Sequence, residues 1–437
     1  MTQDKLPTSK VERASRFLKT GLKVGGNYVA HYTKSAFTEV DRNDLDRKNA
    51  IEILNVLRQL KGSGLKIAQM LSMDNGGLLP KTYAEVFAGA QNNAMALSGP
   101  MVLNTFKKYW GKTPYELYDS FNPISILAAS IGQVHEAKLS DKNLAVKIQY
   151  PGVADSIKSD LNMVKPVVLK VMGLPSAVMN QYMDEIEERL IEETDYELEL
   201  QQALFVKKEL AGFENIIIPN YYPELSNKRI LTMDWLEGTM LSDFIKTETD
   251  PVKRQIIGQS LLDFLHFQTH TLKKFHADLH PGNFKVTNDL KLGILDFGCM
   301  KSLPPAFYNA YFSLGLDAVI NDPLKFREML MEIDLIREGD SVEEEKLFLE
   351  TALNAIKIIA RPLMQGEFDF SNEAFYQEML QFGEEIYANK DFRKPNAIRG
   401  SKHAIYLHRA FYGLYGLLHQ LGVNVKIDRT FFDKLNI

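Results

Sequence analysis

The chain has 437 residues and a single cysteine, Cys299. One thiol excludes a disulfide scaffold within a monomer and any CxxC metal site. No run of about twenty apolar residues occurs, so no segment has the length of a membrane-spanning helix. The start, Met1 to Lys10, is polar and lacks the apolar centre of a signal peptide. Positive charge is also short: the net charge is -5. That argues against nucleic acid as the main partner, because such binding rests on neutralising phosphates. Internal repeats and low-complexity segments are missing too. What remains is a soluble, cytoplasmic globular chain, too long for one core and expected to divide into two lobes plus an extension.

Against that background one stretch stands out. Phe275-His276-Ala277-Asp278-Leu279-His280-Pro281-Gly282-Asn283 is followed by Asp296-Phe297-Gly298. An Asp with an Asn five positions on suits phosphoryl transfer: the Asp orients or accepts a proton on the nucleophile, and the Asn oxygen ligates Mg²⁺. The second Asp supplies the other metal contact. Between them, Phe284 to Thr287 and Leu290 to Leu295 read as short strands joined by a turn at Asn288-Asp289. A hairpin of that kind carries Asp296 back beside Asn283. Singly, these residues are ordinary turn and cap formers; together, and in this order, they match a kinase motif set.

Residues 1–38 carry seven Lys or Arg against two acids. Val11, Ala14, Phe17, Leu18 and Leu22 fall at helical spacing, which reads either as a helix packed on the protein body or as peripheral contact with an anionic membrane. Residues 43–73 are helical, with Lys66 and Gln69 three apart and so on one face. Residues 81–120 read as helical, with a loop near Ser98-Gly99-Pro100.

From Ile124 the pattern turns to strands. Ala128-Ala129-Ser130 is a small-residue turn through which backbone N–H groups can approach phosphates, and Leu144 to Ile148 is a strand carrying Lys147, placed to hold the α and β phosphates. A helical region follows, with nine acids and one Arg between residues 184 and 199. A strand lysine of this kind needs one inward Glu from such a helix. Arg229 to Met233 reads as a strand and Asp234 to Gly238 as a turn, the order of a hinge at which Met233, Asp234 and Leu236 meet adenine. Beyond Asp296-Phe297-Gly298 the chain reads as helical to its end, with breaks at Pro362, Gly366 and Pro395, and with His403 and His408 as core or surface histidines.

These motifs together resemble the UbiB/AarF family of atypical kinases over roughly residues 45–425. The resemblance rests on the Lys-x-Gly-Gln-like segment, the alanine-rich loop, Glu-x-Asp, and His-x-Asp-Leu-His-Pro-Gly-Asn. It implies an α+β, bilobal, protein-kinase-like fold with a family-specific N-terminal helical extension, divided as 1–100, 101–238 and 239–437. It also implies ATP and Mg²⁺ as cofactors, with Lys147 on phosphate and Glu199 as its helix partner. Lys66, Gln69, Glu193 and Asp195 become a regulatory set, in which the first helix lies over the place a peptide substrate would take. The family's glycine is Ala68 here. A role in isoprenoid-quinone or lipid metabolism follows from the same resemblance, with a lipid or quinone precursor as partner. Two other readings compete: a small-molecule phosphotransferase of the aminoglycoside-kinase type, and a non-enzymatic ATP-binding scaffold.

Overall fold

A computed structural model of the chain describes residues 42–60, 64, 66–68, 81–88, 96–128, 131–172, 176–389, 391 and 399–435. The basic segment 1–38, Gln69, Ala129 and Ser130 lie outside them. The chain divides into two compact units, residues 1–201 with 220–235, and residues 202–219 with 236–437. Residues 202–219, which the division by motif leaves with the middle part, thus cluster with the second unit.

The first unit is built on an antiparallel sheet. β1 (Ser120–Phe121), β3 (Gly132–Leu139), β4 (Lys142–Gln149) and β6 (Ile230–Asp234) run in that order, and β2 (Leu127–Ala128) pairs with β3. β3 and β4 form a hairpin in register Val134 opposite Lys147. Leu144, Val146 and Ile148 alternate along β4 toward a core shared with Phe106, Tyr118 and Phe121, as the two-residue period of a strand requires. Gly132 has no room for a side chain: a Cβ there would sit 2.7 Å from the Ile148 carbonyl oxygen and 2.8 Å from the Tyr196 hydroxyl.

The triplet Ser98-Gly99-Pro100 opens a helix, Gly99–Trp110, instead of forming a loop. Pro100 stands in its first turn, where a missing N–H costs nothing. Helices Arg42–Leu60 and Lys81–Ala88 precede it. The acidic region forms Ser176–Glu193 and Tyr196–Glu209, separated by a break at Thr194-Asp195.

In the second unit β5 (Ile216–Ile217), β10 (Leu292–Ile294), β9 (Phe284–Val286) and β7 (Thr239–Met240) make one sheet. The β9–β10 hairpin expected from the sequence is present, but its left-handed residue is Leu290, at φ 59°. Asn288-Asp289 does not take that role; Asp289 instead receives the Thr287 hydroxyl at 2.6 Å and anchors the turn by its side chain. β8 (Lys274–His276) pairs with β11 (Met300–Ser302).

The remainder is mostly helical, including Pro251–Phe267, Pro305–Ser313, Pro323–Glu332, Val342–Ile359, Glu373–Ala388 and Lys402–Leu421. It is not helical throughout. β12 (Glu367–Asp369) pairs with β13 (Asn424–Lys426), strands of three residues that are too short to show a period in sequence. Among the described residues no helix is long and apolar enough to cross a membrane.

Candidate active site

Lys147 lies on the face of β4 opposite the core residues. Its Nζ is 2.6 Å from Glu199 Oε1, and Glu199 is almost fully buried. Out of nine acids in the run, Glu199 reaches the strand lysine because of how its helix begins. Asp195 caps that helix, its Oδ1 accepting from the N–H groups of Glu197 and Leu198 at 3.1 Å each. The carbonyl of Thr194 accepts from Gln149 Nε2 at 3.0 Å and from Arg229 Nη1 at 2.8 Å, which ties the break to the sheet.

One turn earlier, Glu193 receives two cations. Lys66 Nζ stands 2.9 Å from its Oε2 and Arg189 Nε 3.3 Å from its Oε1. All three side chains are buried. Charges removed from water in this way hold only as a complete set, since each loses hydration that its partners replace. Ala68 is fully buried beside Lys66 in sequence, so the extra methyl is accommodated.

The residues expected around a nucleotide base are partly committed elsewhere. Met233 pairs with Ala145 and is buried. The Asp234 carboxylate accepts from the Tyr222 hydroxyl at 2.5 Å and from the Asn220 side-chain amide at 2.5 Å. The N–H groups of Asp234 and Trp235 donate to the carbonyls of Asn220 and Asn143, both at 2.8 Å. The carbonyl of Leu236 accepts from Lys285 Nζ at 2.7 Å. Ala128 sits on β2 opposite Gln133, half-buried.

In the second unit the candidate carboxylates are gathered by backbone. The β8–β11 ladder pairs His276 with Met300, and the Ala277 N–H donates to the Cys299 carbonyl at 2.9 Å. The Leu295 N–H donates to the Asn283 carbonyl at 2.9 Å. Asp296 is thereby held beside Asn283, as the hairpin predicts.

A residue to which the sequence assigned no role completes the arrangement. His276 Nδ1 accepts from the Asp278 N–H at 3.1 Å, and its Nε2 lies 2.9 Å from the Asp296 carbonyl oxygen. The first bond requires a lone pair on Nδ1, which puts the proton on Nε2 and makes the imidazole neutral. One uncharged ring thus positions both aspartates. Gln268 in turn accepts the His276 N–H at 3.1 Å. The signal was present in the sequence as a histidine two residues before the candidate base.

The donor set suits a hard cation. Asn283 Nδ2 donates to the Asp278 carbonyl at 3.0 Å, which leaves the amide oxygen as the coordinating end. Asp296 Oδ1 accepts the Gly298 N–H at 2.9 Å. Among the described residues no group of three or more His, Cys, Asp or Glu forms a metal cage. Two protein oxygens with the rest of the shell from water and phosphate is the arrangement Mg²⁺ accepts.

The description "ABC1 atypical kinase-like domain" matches residues 89–330, more than half of the chain. That span includes Lys147, Glu193 and Glu199 as well as the whole loop from His276 to Gly298. The chain belongs to the ABC1 atypical kinase-like family. It is 26% identical to "Atypical kinase COQ8B, mitochondrial" of Danio rerio over 99% of this chain and 69% of that protein. It is 26% identical to "Atypical kinase COQ8, mitochondrial" of Saccharomyces cerevisiae over 98% of this chain and 85% of that one. Among solved structures it is similar to Rv3197 from Mycobacterium tuberculosis, described as an erythromycin complex, with TM-score 0.59 and 26% identity. That likeness covers 90% of this chain and 96% of the other. The α+β, kinase-like fold expected from the sequence is borne out, and so is the resemblance to atypical kinases. This ABC1-family chain is therefore an atypical kinase, a phosphotransferase of kinase or ATPase type.

Proposed function

We propose that this ABC1-family kinase binds ATP with Mg²⁺ and moves the γ-phosphoryl group, in isoprenoid-quinone or lipid metabolism and not on ordinary protein substrates. The observation that supports it most is the shared imidazole of His276, which presents Asp278 and Asp296 from one neutral anchor. Asp278 handles the proton of the attacking hydroxyl or water. Asn283 and Asp296 hold the metal, which when bound neutralises charge on the phosphates. Lys147, kept extended by Glu199, serves the α and β phosphates.

Lys66, Gln69, Glu193 and Asp195 form the regulatory set of this reading. The buried Lys66–Glu193 pair supports a docked helix that denies a peptide access to the acceptor position. Peripheral membrane contact through residues 1–38 belongs to the same proposal.

The test is a thermal-shift titration with Mg-ATP paired with an ATP-turnover assay. Asp296→Asn is expected to lose nucleotide stabilisation. Asp278→Asn should keep it and lose turnover by about 10²- to 10⁴-fold, the usual size of a general-base contribution. Equal loss of nucleotide binding in both variants would overturn the division of roles. Anionic vesicles added to the turnover assay should stimulate it, and efficient phosphorylation of generic peptides by the wild type would remove the docked-helix reading.

A further inference from the structure

A half-open pocket of about 180 Å³ lies among the helices of the second unit. Leu330, Ile333, Ile356, Ile359 and Phe411 give it apolar walls drawn from three helices and the residue that follows one of them. Close-packed interiors leave few voids larger than a water molecule. An apolar cavity of about 150 Å³ stays dry and takes up benzene.

Two aromatic side chains with polar atoms face this space. Tyr311 and His408 lie on its wall and are half-buried. Burial holds the pKa of His408 down to about 4, so at neutral pH its ring is uncharged and offers one lone pair and one N–H.

The other polar groups on the wall are occupied. The Tyr415 hydroxyl donates to the Ile359 carbonyl at 3.1 Å, and Ser401 Oγ caps its helix at the His403 N–H. Arg399, the charged wall residue among those described, is paired with Asp340, lies 3.8 Å from Glu344 and stacks on Phe348 at 4.4 Å. An ionic ligand would meet no available countercharge and would be costly to bury.

We propose that this cavity binds a small uncharged lipophilic molecule about the size of a substituted benzene ring, its ring among the aliphatic walls and one hydroxyl against His408. The site lies apart from the loop that carries Asp278 and does not depend on the proposed reaction.

The test uses the full chain with three probes: toluene, p-cresol and p-toluenesulfonate. Saturation-transfer NMR and titration calorimetry should show saturable binding of toluene and p-cresol, with p-cresol at least about threefold tighter for one hydrogen bond gained. The sulfonate should not bind. Ala352→Leu and Ala355→Leu each fill the void and should abolish binding while leaving the thermal midpoint at or above that of the wild type. His408→Leu should keep toluene and lose the preference for p-cresol. The proposal is overturned by no saturable binding of either uncharged probe to the wild type, by equal binding of the sulfonate, or by undiminished p-cresol binding in both filled variants.

Discussion

The two units hold their polar residues by different means. In the first, Lys147, Lys66 and Arg189 are ions set against Glu199 and Glu193 in buried surroundings. In the second, Asp278 and Asp296 hang from the backbone of short strands and from one neutral imidazole. The first arrangement joins segments distant in sequence, and each charge depends on the others for the hydration it has lost. The second is local and rests on ladder hydrogen bonds. A change of charge at Lys66, Arg189 or Glu193 should therefore cost stability, and one at Asp278 mainly turnover.

Glu193→Ala sharpens this contrast most. It leaves Lys66 and Arg189 buried without their shared carboxylate, and a stranded buried charge costs about 3–5 kcal/mol. Urea unfolding should show the midpoint fall accordingly; a loss under about 1 kcal/mol would mean that the triad behaves as an exposed ion pair.

Acid tests the second unit. His408 keeps a neutral ring down to about pH 4. His266, His270 and His403 are also held below the usual histidine range, chiefly by burial. The first unit has one such ring among its described residues, His135, lowered by burial. The unfolded imidazoles take up protons near pH 6.5. Below that pH the unfolded chain binds more protons than the folded one, so stability is full above about 6.5 and falls as pH drops toward 4. In urea titrations at about pH 7.5 and about pH 5, His408→Leu should lose less stability between the two than the wild type. An equal loss would break the assignment.

The smallest expected effect is at the helix cap. Asp195→Ala removes the acceptor of two N–H groups, worth about 1 kcal/mol. Because that cap sets where Glu199 points, the same variant should also weaken Mg-ATP stabilisation. A stability loss with unchanged nucleotide affinity would show that the Lys147–Glu199 pair places Glu199 without help.

The candidate loop was legible because its residues are contiguous. His276 to Gly298 is one strand, one turn, one hairpin and one ladder partner, and short-range pattern rules apply to each. The role of His276 escaped because an imidazole's hydrogen bonds are not a pattern along the chain. The place of Asp234 after a strand gives no sign that its carboxylate is taken by Tyr222 and Asn220, which come from a neighbouring segment. β12 and β13 escaped for a related reason, being three residues each and paired across more than fifty positions.

By itself, then, the sequence determined the family, the α+β class and the hairpin, since spacing and residue type carry those. The resemblance named Glu199 as the partner of Lys147, and the pair stands at 2.6 Å; tertiary structure alone decided that Glu193 is shared by Lys66 and Arg189, and that His408 lines an apolar pocket. Those outcomes depend on where separate segments come to rest, and the partner of a buried charge or the shape of a void exists only once they have packed.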